Sequence, residues 1–134
     1  MPRFDKRNII ELKAFLYDSC DHDAKIESFN CDYVNDSIEI VLFNPYFDVR
    51  INLTFNNIML VLSMKGDWIG KRWEIIGIAA EDDFSHLEKY LPNHSEYNED
   101  SLYLLFEMFS GDELHIVAKE VIIEKRKTGD GSAS

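Results

Sequence analysis

The side chains of strongest chemical character in this sequence are two cysteines, four histidines and 25 acids. Asp18, Cys20, Asp21, His22 and Asp23 crowd together and are all of metal-ligand type. A zinc site takes about four ligands in spaced pairs. The chain has neither a CxxC nor an HxxxH. A calcium loop of the EF-hand kind needs a central glycine and a closing glutamate at fixed offset, and Asp21 and Asp23 have neither. Nucleophilic catalysis has no G-x-S-x-G elbow to stand on, and no glycine pattern cradles a phosphate. Adjacent carboxylates such as Asp82-Asp83 arise by composition alone in so acidic a chain. His115, set between Leu114 and Ile116 on the opposite parity, is expected to be a half-exposed strand residue. Trp68-Ile-Gly-Lys-Arg-Trp73 is the one basic and aromatic spot. Such a segment folds its tryptophans onto a core while Lys71 and Arg72 stay wet, or it anchors a protein contact. The expectation is therefore no catalytic residue, no metal and no cofactor.

Charge points elsewhere. The net charge is −11 over 134 residues. A surface of that sign repels nucleic acid and anionic membranes, so neither is expected as a partner. With 46% hydrophobic and 13% aromatic residues, the chain is too apolar to be disordered. The acids are unevenly spread. Glu81 to Glu113 holds ten acids against one base, Lys89, and Asp18 to Asp48 holds eight against Lys25. Crowded like charges destabilise a free fold but steer and select a basic partner. The expected electrostatic contact set is Asp82, Asp83, Glu88, Glu96, Glu99 and Asp100, with Tyr97, or Trp68 with Arg72, as anchor. The 18–48 block is the other candidate negative face.

These side chains must be held by a β-rich scaffold. Ile9, Leu12 and Leu16 recur at helical spacing, which predicts a helix over 6–17 with Asp5 as its N-cap. From Ile26 the period becomes two. Phe29, Cys31 and Tyr33 alternate with polar residues, as do Ile38, Ile40 and Leu42. Phe47 to Phe55 is the clearest strand, Asn56-Asn57 reads as a tight turn, and Ile58 to Met64 returns as an apolar strand. A further strand over 74–80, a helix over 81–91 and a closing hairpin over 102–124 complete the pattern. Parity changes between Ala118 and Val121, which predicts a bulge near Lys119-Glu120. The fold class is α+β: a curved antiparallel sheet of six to seven strands, half-barrel or barrel-like, packed against an N-terminal helix. Residues 1–127 form one domain, and the Gly- and Ser-rich stretch 128–134 is a disordered tail. Cys20 and Cys31 are expected as free, buried thiols. No stretch resembles a signal peptide or a membrane span, so a cytoplasmic protein is expected.

The chain resembles the small acidic bacterial immunity proteins, which protect a cell by binding a toxin domain, often a nuclease. The resemblance lies in chain length, the Glu81–Glu113 acidic stretch, the strand and turn Val49-Arg-Ile-Asn-Leu-Thr-Phe-Asn-Asn57, and the hairpin Ser110-Gly-Asp-Glu-Leu-His-Ile-Val117. It implies a non-enzymatic antitoxin whose acidic surface covers a basic substrate cleft or blocks it from beside. The alternatives are a small-ligand-binding β-barrel or unfamiliar enzyme, and an accessory subunit of a larger assembly.

Overall fold

The computed structural model describes residues 2–17, 22–65, 75–90 and 100–127. In chain order these form β1 (Arg3–Asp5), a 3-10 turn (Lys6–Asn8), α1 (Ile9–Tyr17), β2 (Lys25–Asp32), β3 (Ser37–Asn44) and β4 (Val49–Met64). After them come β5 (Ile75–Glu81), the single-turn α2 (Ser85–Glu88), β6 (Leu102–Met108) and β7 (Glu113–Lys127). The strands make one antiparallel sheet in the order β2-β3-β4-β7-β6-β5, and β1 pairs with the distal part of β7. This is the curved α+β sheet with an N-terminal helix that the periodicity predicts. It is open and not closed into a barrel. Its edge strands touch at one corner, where Asp23 N–H donates to the Ile75 carbonyl and Ile75 N–H to the Ala24 carbonyl, both at 2.8 Å.

Alternation builds the core. Ile38, Ile40 and Leu42 of β3, Val49, Ile51, Leu53 and Phe55 of β4, Leu102, Leu104 and Phe106 of β6, and Leu114 and Ile116 of β7 all bury on the concave face. Leu12 and Leu16 of α1 close over them. Asp5 starts the helical segment, its carboxylate accepting from Arg7 N–H at 2.9 Å while Asn8 Oδ1 accepts from Asp5 N–H at 2.7 Å. A second, smaller layer sits on the convex face. There Phe84 and Leu87 cover Tyr103, Leu105 and Val117, with Met59, Leu60 and Leu62 at the margin.

The pair Asn56-Asn57 is not a turn. β4 runs unbroken from Val49 to Met64. Asn57 takes a left-handed φ of 56°, and beyond it the strand buries its other side-chain set. β7 changes face at the same level, from Ala118 to Val121. The extra residue lies across the ladder from the expected bulge. It is in β4, where the register passes from Ile58↔Ala118 to Leu60↔Val117. Asparagine is one of few side chains that tolerate this conformation. Asn57→Ala is expected to cost about 1 kcal/mol and Asn57→Gly only a few tenths. Urea unfolding midpoints that rank the two variants equally would remove the backbone from the explanation.

Other boundaries move for local reasons. Residues 45–48 are a turn and not the start of a strand, because Asn44 Oδ1 accepts from the Tyr46 and Phe47 amides at 2.9 and 3.3 Å. β1 is too short to show a period. The helix expected over 81–91 shrinks to Ser85–Glu88, since β5 continues through Glu81. Asp83 accepts from the Ser85 amide and hydroxyl, and Phe84 stands at the N-cap. Phe29 and Cys31 are exposed at the sheet edge, against the expectation of a buried face and a buried thiol. Cys20, the Trp68–Trp73 segment and the tail 128–134 lie outside the described residues. Among the described residues no helix is long and apolar enough to cross a membrane.

Candidate functional site

Of the expected contact set, Glu96, Tyr97, Glu99, Trp68 and Arg72 lie outside the described residues. Asp82, Asp83, Glu88 and Asp100 are exposed. They do not form a purely negative patch. Lys13 Nζ sits 2.6 Å from Asp82 Oδ1, and Lys6 Nζ donates to the Asp82 carbonyl at 2.7 Å. Asp100 shares a shallow cleft with Asp5, Lys6, Arg7 and Lys119. Asp83 is held below the usual carboxylate range by its hydrogen bonds from Ser85. Among the described residues, cations are thus interleaved with this block.

The 18–48 block gives a different surface at the tip of the β2–β3 hairpin. Asp32 builds that tip, accepting from the Val34 and Asn35 amides at 3.0 and 3.2 Å and from the Asn35 side chain at 2.7 Å. These bonds lower the Asp32 pKa and keep it charged. Asp36 leaves the turn at φ 50°, and its carbonyl accepts from Ile58 N–H at 3.0 Å, docking the tip on β4. Tyr33 and Val34 are 87% and 91% exposed, and Phe29 is 43% exposed. Beside the tip lies a groove of about 380 Å³ lined by Phe29, Cys31, Tyr33, Ile58 and Val61, with Asp32 and Asp36 on its rim. Phe29 pairs with Ile40 and Cys31 with Ile38, so both face the concave side at its outer margin. No lysine or arginine lines this groove among the described residues. It can take an apolar side chain and a nearby cation.

A third constellation was not legible as a site. His115 is 0% exposed, against the half-exposed expectation. The rows of side chains on β6 and β7, together with the segment around α2, enclose it. Its Nδ1 lies 2.6 Å from the Tyr103 hydroxyl and its Nε2 3.0 Å from Glu113 Oε1, while the Tyr90 hydroxyl donates to the same Glu113 oxygen at 3.2 Å. With a neutral ring every group is served: Tyr103 donates to Nδ1, and Nε2–H donates to the carboxylate. The ring also lies 5.7 Å from Tyr90, 5.8 Å from Tyr103 and 6.5 Å from His86. This Tyr-His-Glu order is that of a proton relay. Its outer end, Tyr103, is itself 0% exposed, and Phe84 stacks on it at 5.8 Å. The geometry is that of a satisfied polar seam which locks the convex layer.

Burial pushes the His115 imidazole below its ordinary value near 6.5, against an upward pull from Glu113 and a weaker one from Glu81. The unfolded chain therefore takes up this proton before the folded chain does. Stability is complete above pH ~6.5 and falls as pH drops below it, by at most ~1.4 kcal/mol per unit from this one group. His115→Gln should flatten that slope between pH 7 and 5. An unchanged slope in urea titrations would place its origin in another residue. The paired carboxylates Asp5 and Glu27, whose pKa values their arginine partners lower, act in a separate window below pH ~4.

Among the described residues, no group of three or more His, Cys, Asp and Glu side chains is placed to hold a metal ion. Comparison with protein-family models and with curated proteins finds no match to this chain.

Proposed function

We propose that this chain is a non-enzymatic, protein-binding inhibitor of the immunity type. It neutralises a basic toxin domain, a nuclease being the class that its charge fits, by covering or blocking the active site. The observation that carries this reading is the β2–β3 tip. Exposed Phe29, Tyr33 and Val34 stand beside Asp32 and Asp36, next to a groove without a described cation. Aromatic side chains of this kind are what anchor protein interfaces, and adjacent acids set approach rate and partner choice. The filled concave face supports protein binding over a small-ligand barrel, since apolar side chains occupy the volume that a ligand would need.

The test is co-expression with basic toxin domains of the nuclease class. Expected are restored growth and a one-to-one complex whose association slows as salt rises. Absence of both rescue and complex would overturn the reading. Within such a complex, Asp32→Asn with Asp36→Asn should slow association several-fold. Asparagine keeps the Oδ1 turn acceptor at 32 and the left-handed backbone at 36, so what is removed is the two charges and the Asn35 side-chain bond to Asp32 Oδ2. Reversal of Asp82, Asp83 and Asp100 to lysine is the matched probe of the other block. The block whose change slows association is the one that faces the partner.

A further inference from the structure

The long strand β4 has two halves with different neighbours. Val49–Asn56 lies between β3 and β7. From Ile58 onward β7 continues on one side, and β3 has already turned away at Asp36. Among the described residues, Met59–Met64 has no ladder partner on that side. Unpaired edges are ordinarily protected by charge, proline or a covering element. Here there is no such charge: the chain carries no charged residue between Arg50 and Lys65, although 29% of all its residues are charged. Met59, Leu60 and Val61 of this edge line the groove, Val61 is 38% exposed, and Asp32 and Asp36 line the groove with them.

We propose that the Met59–Met64 edge is a strand-addition site, which extends the sheet with an extended segment of a protein partner bearing alternate apolar residues and a lysine or arginine. The site deepens the protein-binding reading above and rests on it. The unpaired N–H and C=O groups of β4 supply sequence-independent hydrogen bonds, and the apolar groove selects alternate side chains. The rim carboxylates select the cation. Charge also decides against a second copy of this chain as occupant. Pairing two such edges brings together two molecules of net charge −11, each with Asp32 and Asp36 at the seam.

The experiment selects ten-residue peptides from a random displayed library against the full chain and then studies the best binder as a synthetic peptide. Expected are enrichment of alternating apolar patterns with Lys or Arg, and at least tenfold slower amide hydrogen exchange at residues 59–64 on binding. At least tenfold weaker binding is expected when alternate peptide nitrogens are methylated. Val61→Lys should weaken binding at least tenfold without moving the melting temperature. Basic peptides that tolerate N-methylation, or that protect other amides, would overturn strand addition and leave the protein-binding reading in place. Selection of peptides without a basic bias, or of none, would overturn the strand-addition site and leave the protein-binding reading to its own test of rescue and complex. Concentration-dependent protection of residues 59–64 in the chain alone would assign the edge to self-association and overturn the proposal.

Discussion

Replacing His115 with leucine is expected to lower the stability of the fold by about 3 kcal/mol, roughly 10 °C in melting temperature for a chain of this size. Leucine fills much of the same space, so the loss comes mainly from polar groups stranded in the convex layer. The Tyr103 hydroxyl, at 0% exposure, loses its acceptor, and Glu113 loses a donor. An unsatisfied buried group costs about 1–3 kcal/mol, more when charged. The sharper form of the prediction is non-additive. Tyr103→Phe alone leaves His115 Nδ1 unpartnered and should cost about 1–2 kcal/mol. Added to His115→Leu, it should recover stability, because it removes the hydroxyl that has lost its His115 acceptor. A double-mutant cycle in urea, at constant m-value, reads this directly. Losses that simply add would mean that the two side chains are not coupled across the seam.

The buried seam also shows where sequence reading stops. The concave face was legible, since Ile38-Ile40-Leu42 and Val49-Ile51-Leu53-Phe55 keep one period and one wet side. The convex layer was not, because it is assembled from separate stretches: Met59–Leu62, Phe84–Leu87, Tyr103–Leu105 and Val117. One signal was present. Leu102 to Phe106 is apolar at every position, and Leu114 to Ala118 is apolar everywhere except His115. Continuous apolar runs belong to strands covered on both faces. Applied to β6 and β7, that rule places His115 inside, with Tyr103 and Glu113 within reach. The Asn56-Asn57 reading failed for a different reason. The dipeptide does mark a left-handed position, but a strand can pass through one and change face without reversing. Turn chemistry reports a local φ; whether the chain reverses depends on long-range pairing with β7.

The same logic bears on the tip. The sequence marked the 18–48 block as acidic but not that its acids would stand beside exposed aromatic side chains. That juxtaposition follows from the register of β2 on β3, which carries Phe29 and Cys31 past the filled core. It leaves Tyr33 and Val34 with no described partner for most of their surface.

If these side chains are the anchors, Tyr33→Ala should lower affinity for the basic partner about 30-fold, equivalent to ~2 kcal/mol, and Phe29→Ala should do nearly as much. Both variants should melt within about 1 °C to 2 °C of the parent, because neither side chain belongs to the buried core. The split between rates separates anchor from steering. Truncating an anchor shortens the life of the complex and leaves association nearly unchanged, whereas removing the Asp32 and Asp36 charges slows association and its salt dependence. Surface plasmon resonance at two salt concentrations resolves the two effects. Undiminished affinity in Tyr33→Ala and Phe29→Ala together would move the interface off the β2–β3 tip. The acids at 82, 83 and 100 would then be the next surface to test, with the difference that Lys6 and Lys13 already compensate part of their charge. An interface there would need its partner to displace those lysines, so raising salt would weaken the internal pairs along with the complex, and the net salt dependence of association would be shallower than at the tip.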